Sequence, residues 1–216
     1  MKIAILGGTG AEGSGLAFRW AAKGHEVVLG SRSAERAAAK AAELSASLDG
    51  SSMQGMDNSS ASSWADIIVL SVPYSAQEKT LAALTDELDG KILMTVVVPL
   101  GKPVARVHRL PSGMSAAEEA QQQLGANVPV VAAFQNISAH HLMDLEHEID
   151  CDVLVCGNKK IHKEPVYQLV ADAGMRAVNA GSLPNASIAE GLTSLLIGIN
   201  IRNKIKNAGI RITGIS

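Results

Sequence analysis

Residues 2–17 read KIAILGGTGAEGSGLA, an apolar run, a glycine-rich turn and the start of an amphipathic stretch. Gly8, Gly10 and Gly13 stand in GxGxxG spacing. In such a strand–turn–helix unit the first glycine permits the tight turn and the second lets the backbone approach a pyrophosphate with no Cβ in the way. The third lets the helix pack close to the strand. The pyrophosphate then lies on the helix N-terminus, where unpaired N–H groups and the helix dipole favour negative charge. The motif alone is common. Its position, directly after an N-terminal strand and opening a helix, gives it its meaning.

Outward from this unit, Val- and Ile-rich runs alternate with Ala-rich stretches of helical length, the signature of βαβ units. Strands are expected at Lys2–Leu6, Glu26–Leu29, Ile67–Val72, Ile92–Val98, Val130–Phe134, Val153–Val155 and Arg176–Asn179. Helices are expected at Glu12–Lys23, Ala34–Ser47, Ala76–Glu87, Ser115–Leu124, Ile161–Ala173 and Ala186–Lys206. A third strand within Ser51–Asn58 has little apolar content beyond Met53 and Met56. Near-continuous apolar runs such as ADIIVLSV imply strands covered on both faces, hence a doubly wound, mainly parallel sheet. The rhythm loosens after Phe134. The expected organisation is an α/β chain with an N-terminal Rossmann domain over 1–137 and a smaller C-terminal α/β domain over 138–216 that completes a cleft. The long final helix repeats Leu and Ile at helical spacing and either packs back on the first domain or forms a dimer interface.

At the end of the second strand an NAD-binding chain carries an acidic residue that accepts bonds from the ribose 2′-hydroxyl. Here Gly30-Ser31-Arg32 stands instead, with Arg36 one helical turn further. A hydroxyl and two guanidinium groups suit the 2′-phosphate of NADP, which a carboxylate would repel.

Bulk properties exclude other classes. The chain has 216 residues, 47% hydrophobic, which suffices for a buried core. A formal charge of −2 leaves no basic excess for nucleic acid. No run approaches the roughly 18 apolar residues of a membrane span, and the N-terminus reads as a strand rather than a secretory signal. Cys151 and Cys156 fit neither a redox CxxC pair nor a zinc site and read as buried thiols of a cytoplasmic protein. His140, His141 and His147 have no metal-ligand spacing. Short-chain dehydrogenase chemistry needs Tyr four residues before Lys, but Tyr74 precedes Glu78 and Tyr167 precedes Ala171. No catalytic acid or base stands out, which suits a reaction between two carriers that need positioning above all.

With these features in view, the chain resembles the NADPH-dependent reductases of the deazaflavin coenzyme F420. The resemblance is carried by MKIAILGGTGAEGSGLA, GHEVVLGSR with Arg36, ADIIVLSVP, VVVPL, SAAEEAQQQL, FQNISAHHLMDLEHEIDCDVLVCG and the closing GIRITGI. It implies NADP(H) and coenzyme F420 as the two small-molecule coenzymes, direct hydride transfer between them, and a homodimer. It also implies that Thr9, Gly10, Ala11 and Glu12 line the pyrophosphate loop and that Ser31, Arg32 and Arg36 hold the 2′-phosphate. Val72, Val98 and Ala139 border the nicotinamide half, Ala208 closes the pocket, and Gln135 and Ile137 lie near the transfer site. Relatives often carry Trp and His where this chain has Tyr74 and Ala76, and His in place of Gln135. The loop with Lys102, Arg106, His108 and Arg109 is either a docking site for the phosphate- and glutamate-bearing coenzyme tail or a solvated basic loop. Other readings are an NADP-dependent reductase of an imine, ketone, flavin or ferric acceptor, with Asn200 and Lys204 available on the last helix, and a non-catalytic NADPH sensor.

Overall fold

The computed structural model describes residues 1–48 and 50–215. In chain order the elements are β1 (Lys2–Leu6), α1 (Ala11–Ala22), β2 (Glu26–Ser31), α2 (Ala34–Ser45), β3 (Gln54–Asp57), α3 (Asn58–Trp64), β4 (Ile67–Leu70), α4 (Tyr74–Ala82), α5 (Thr85–Leu88) and β5 (Ile92–Thr95). They continue with α6 (Ala116–Leu124), β6 (Val130–Ala132), β7 (Asp152–Gly157), α7 (Lys160–Asp172), β8 (Arg176–Asn179) and α8 (Ala186–Asn203).

The strands form one sheet in the order β3-β2-β1-β4-β5-β6-β7-β8. The order reverses at β1, so the crevice where ligands bind in doubly wound folds opens at the carboxyl ends of β1 and β4. Strands β1 to β6 are parallel, as in Ile3↔Val27 and Ile5↔Val69. The chain after Ile137 supplies β7 and β8, and β7 enters the same sheet antiparallel to β6, with Ala132 opposite Cys156. The sheet is therefore continuous across the boundary expected at 137.

Alternation along β1 sends Ile3 and Ile5 to one face and Ala4 and Leu6 to the other. The first face is covered by α1, α2 and α7 through residues such as Trp20, Leu44 and Leu169. The second is covered by α3 to α6 and the start of α8 through Ala61, Leu81, Leu88, Ala120 and Ala186. This two-sided cover is the reason the central strands carry apolar side chains toward both faces.

Several expected bounds shift. The helix expected over Ala76–Glu87 is two helices, with Asp86 and Glu87 in the first turn of α5, where the helix dipole favours acidic residues. The last helix stops at Asn203 because Lys204 adopts a left-handed conformation, φ 56°, and turns the chain back. The strands β4, β5 and β6 end two or three residues early, at Leu70, Thr95 and Ala132. One further ladder bond follows each: Ser71 N–H to Leu6, Val96 N–H to Leu70 and Ala133 N–H to Thr95. Beyond these bonds the chains leave the sheet and form the edge of the crevice.

Candidate functional site

The glycine turn is closed on its strand side and open outward. Gly7 takes φ +80°, and a Cβ there would lie 2.3 Å from the Ser71 carbonyl oxygen. The left-handed position of the turn is thus Gly7, one residue before the GxGxxG motif. A Cβ on Gly8 would meet Ile5 O at 2.8 Å, and one on Gly13 would meet Gly7 O at 3.1 Å, so both hold the helix against the strand. At Gly10 the nearest atom would be 3.4 Å away, and the residue is exposed.

Gly10 is also the N-cap of α1 and supplies no side-chain cap, whereas Ser33 caps α2 and Ser115 caps α6. The first-turn N–H groups of α1 are therefore left for another acceptor. A turn that is open at Gly10 and leaves uncapped N–H groups at the start of α1 fits a pyrophosphate. Thr9, Ala11 and Glu12 complete this turn. Glu12 is partly covered; its Oε1 is enclosed and has no hydrogen-bond partner, and burial pushes its carboxyl up to about 8.

Beside this turn, β2 ends in Ser31, whose hydroxyl accepts from the Ser33 N–H at 3.3 Å. Arg32 and Arg36 are exposed, and neither guanidinium has a hydrogen-bond or ion-pair partner among the described residues. Two carboxylates lie close. Asp57, opposite Ser31 in the β2–β3 register, is engaged in capping α3, with one oxygen on the Ser60 N–H and the other on its hydroxyl. Glu35 accepts from the Ser33 hydroxyl at 2.7 Å. Both carboxyls are held below the usual carboxylate range, Asp57 chiefly by the Ser60 backbone N–H and Glu35 by the Ser33 hydroxyl. Neither is bonded to the two arginines.

Val72, Val98 and the 135–139 segment follow the carboxyl ends of β4, β5 and β6, adjacent strands in the sheet. Val72 and Val98 are partly exposed, and Ile137 is buried. Gln135 is 3% exposed; its Nε2 donates to Thr95 O, its own carbonyl accepts from the Thr193 hydroxyl of α8, and its Oε1 is enclosed without a donor. Ala139 opens a one-turn 3-10 helix, Ala139–His141. Ala208 returns to this region because its N–H donates to Asn200 Oδ1 at 2.9 Å, while the Ser138 hydroxyl donates to Lys206 O. A cavity of about 380 Å³ between the segment after β6 and this returning tail is lined by Asn136, Ser138, His141, His147, Cys151 and Ala208, among others. Asn200 thus serves the tail, and Lys204 is the exposed turn residue. His141 and His147 stack at 3.8 Å, and burial lowers the His141 pKa.

The basic loop follows Val98 and Pro99. Lys102, Arg106, His108 and Arg109 line one cleft of about 610 Å³ and are exposed. A second cavity, about 510 Å³, lies between this loop and α8. Its wall includes Glu190, whose carboxylate accepts from the Ala116 and Ala117 N–H groups at the start of α6 and whose pKa burial raises to about 7.

Sequence reading missed three features of this region. Arg19, 6% exposed, donates to five carbonyls, four of them in the 141–147 segment. Phe134 takes φ +72°, a strained conformation for an aromatic residue, at the point where the chain leaves β6. Asn136 ties that segment to Asp152 O at 2.7 Å. The only sequence signal for any of them was an arginine inside an apolar helix stretch, FRWAA.

Comparison with known proteins shows the family to which the chain is similar. Residues 2–99 match the family described as NADP oxidoreductase coenzyme F420-dependent. The whole chain is 42% identical to the F420-dependent NADP reductase of Methanothermobacter thermautotrophicus, covering 96% of that protein. It is also 42% identical to the F420-dependent NADP reductase of Methanocaldococcus jannaschii, covering all of this chain and 99% of that one. Among solved structures, a hypothetical protein from Sinorhizobium meliloti superposes with a TM-score of 0.72 at 23% identity, over 88% of each chain, a likeness of fold.

Proposed function

We infer the activity from membership: the chain belongs to the coenzyme F420-dependent NADP oxidoreductases, and it transfers hydride between NADP(H) and coenzyme F420. Full-length identity to two reductases named for that reaction, together with a glycine turn that leaves an uncapped helix N-terminus, carries this reading. When both coenzymes are bound, hydride passes directly between nicotinamide C4 and deazaflavin C5, which requires ring separations of roughly 3–3.5 Å.

The chain's own part is to bind, orient and keep water out. In our reading, Gly8 to Gly13 hold the pyrophosphate, and Ser31, Arg32 and Arg36 hold the 2′-phosphate. Val72, Val98, Ala139 and Ala208 border the nicotinamide, with Gln135 and Ile137 beside the transfer position. The units 1–137 and 138–216 flank the cleft for the second coenzyme, and no side chain is assigned a proton to move. The cleft under Lys102, Arg106, His108 and Arg109 suits the anionic tail of the deazaflavin.

We place the protein in the cytoplasm as a homodimer. Both cysteines are buried free thiols, which suits a reducing compartment. Helix α8 leaves Ile188 and Leu195, two turns apart on one side of the helix, exposed, an apolar strip that a second copy would cover. Among the described residues no helix is long and apolar enough to cross a membrane.

A spectrophotometric assay with NADPH and oxidised coenzyme F420, with NADH as the control, tests the reading. Loss of the deazaflavin absorbance with NADPH and little with NADH is expected. Tight NADPH binding without turnover would retain the nucleotide site and remove F420 as the acceptor.

A further inference from the structure

The pyrophosphate turn contains a carboxyl group that the transfer reaction does not use. Glu12 lies between Gly10 and Gly13, in the first turn of α1. An acidic side chain there would normally be ionised and stabilised by the helix dipole and by first-turn N–H groups. Among the described residues Glu12 makes no such bond. Its Oε1 is enclosed and unpartnered, and no side chain caps the helix.

Charged and titratable groups on the surrounding elements do not offset this. Arg32, Glu35 and Arg36 lie beyond β2 and at the start of α2. His140, His141 and His147 sit in the segment packed on α1, and Arg19 lies two turns along α1 with its guanidinium committed to carbonyls. Helix α7 meets α1 at Trp20, further still from this turn. Burial alone moves the Glu12 carboxyl.

We propose that Glu12 couples NADP(H) binding to a proton: the nucleotide binds only to the form in which the Glu12 carboxyl is neutral. This rests on the assignment of the pyrophosphate to the glycine turn. An ionised Glu12 would set a third negative charge beside the two of the pyrophosphate, on the same helix N-terminus and partly shielded from water. A neutral carboxyl adds no repulsion and retains an O–H to donate. With the free-protein carboxyl near 8, Glu12 is largely neutral at pH 7, and binding above pH 8 takes up a proton.

The position of the group fixes the form of the effect. NADP+ and NADPH have the same pyrophosphate, so both lose affinity together as pH rises, and turnover at saturation is unaffected. A titrating group beside the nicotinamide would instead separate the two, because only the oxidised ring carries positive charge.

Isothermal titration calorimetry of NADP+ and NADPH between pH 7.5 and 9.5, in buffers of different ionisation enthalpy, tests this. The second ionisation of a phosphate monoester, near pH 6, is complete before that window. For the unsubstituted protein, both dissociation constants should rise about tenfold per pH unit above about 8, with nearly one proton taken up at pH 9. Glu12→Gln, which is isosteric and cannot ionise, should give a flat profile without that uptake and should bind more tightly than the unsubstituted protein at pH 9.5. Parallel profiles for the two proteins, or proton uptake that persists in Glu12→Gln, would overturn the proposal and leave the nucleotide site intact. Failure of either protein to bind NADP+ at any pH would remove the site assignment itself, and the proposal with it.

Discussion

Replacing Arg19 with Met should loosen the segment that follows β6 and lower the stability of the whole chain. The Arg19 Nε donates to Leu142 O at 2.9 Å and Nη1 to Ala173 O at 3.1 Å, both in buried surroundings. Nη2 reaches His141 O, Asp144 O and His147 O, which are partly exposed. Met fills similar volume without donors. The three exposed-side carbonyls then turn to water at little loss. The two buried ones lose bonds to a charged donor, each about 1.5–2 kcal/mol, or about 3–4 kcal/mol together. For a chain of this length 1 kcal/mol corresponds to roughly 2–4 °C, so the melting temperature should fall by about 6–16 °C. Thermal unfolding followed by circular dichroism reads this directly, and Arg19→Lys, which keeps the charge and some donors, should fall between. Limited proteolysis should cut first within 139–147. A drop of less than about 3 °C would refute the reasoning, because the buried carbonyls would then have found other partners or never depended on Arg19.

Arg32→Ala and Arg36→Ala should each lower kcat/KM for NADPH by about 10- to 150-fold, from a lost charge-assisted bond of about 1.5–3 kcal/mol, and leave the NADH value unchanged. Equal loss with both nucleotides would place the arginines away from the 2′-phosphate. The double substitution Arg106→Ala, Arg109→Ala should raise the deazaflavin KM several-fold at unchanged NADPH KM; unaltered kinetics would leave the basic loop a solvated one. Asp152 is fully buried, and bidentate pairing with Arg176 at 2.8 and 2.6 Å holds its carboxyl below the usual range. A depressed carboxyl stabilises the fold above the unfolded-state pKa, and that contribution fades as pH falls through the folded-state value. Melting curves of Asp152→Asn and the unsubstituted protein should therefore lie furthest apart near pH 7 and converge as pH falls below about 4; a constant gap would mean that the ion pair is not what the substitution removes.

The central strands, the glycine turn and the capped helices α2 and α6 are legible in the sequence because each is set by local chemistry: apolar runs, a glycine pattern, and Ser at an N-cap. Other elements depend on distant partners. Strand β3, QGMD, has no strand periodicity; it exists because Gly55 lets α2 rest on it. A Cβ at Gly55 would lie 2.1 Å from the Ala37 carbonyl carbon. Helix α3, NSSASSW, reads as a loop by composition and is held by the Asp57 cap and the burial of Ala61. The antiparallel entry of β7 is invisible to pattern reading, since its direction follows from the path of an irregular connection rather than from β7 itself. At the candidate site the same division holds: Gly8 to Gly13 form one short run and Ser31, Arg32 and Arg36 another. Arg19 and Asn136 act on residues far along the chain, and spacing cannot report them.

The segment after β6 shows why such distant contacts matter for this chemistry. Phe134 holds a left-handed backbone that is unfavourable by about 1–3 kcal/mol. Its ring meets Trp20 edge-on at 5.9 Å, and an aromatic pair of this kind recovers about 0.5–1.5 kcal/mol. The next two residues are tied to three different elements: Gln135 to β5 through Thr95 and to α8 through Thr193, and Asn136 to the start of β7 through Asp152. Regular structure is absent there, yet little freedom remains. Hydride transfer between two planar coenzymes draws on fixed distance more than on any acid or base. A loop strained at one residue and tethered at the next two supplies that rigidity at Ile137, the residue that the proposed site sets beside the transfer position, opposite the glycine turn proposed for the pyrophosphate.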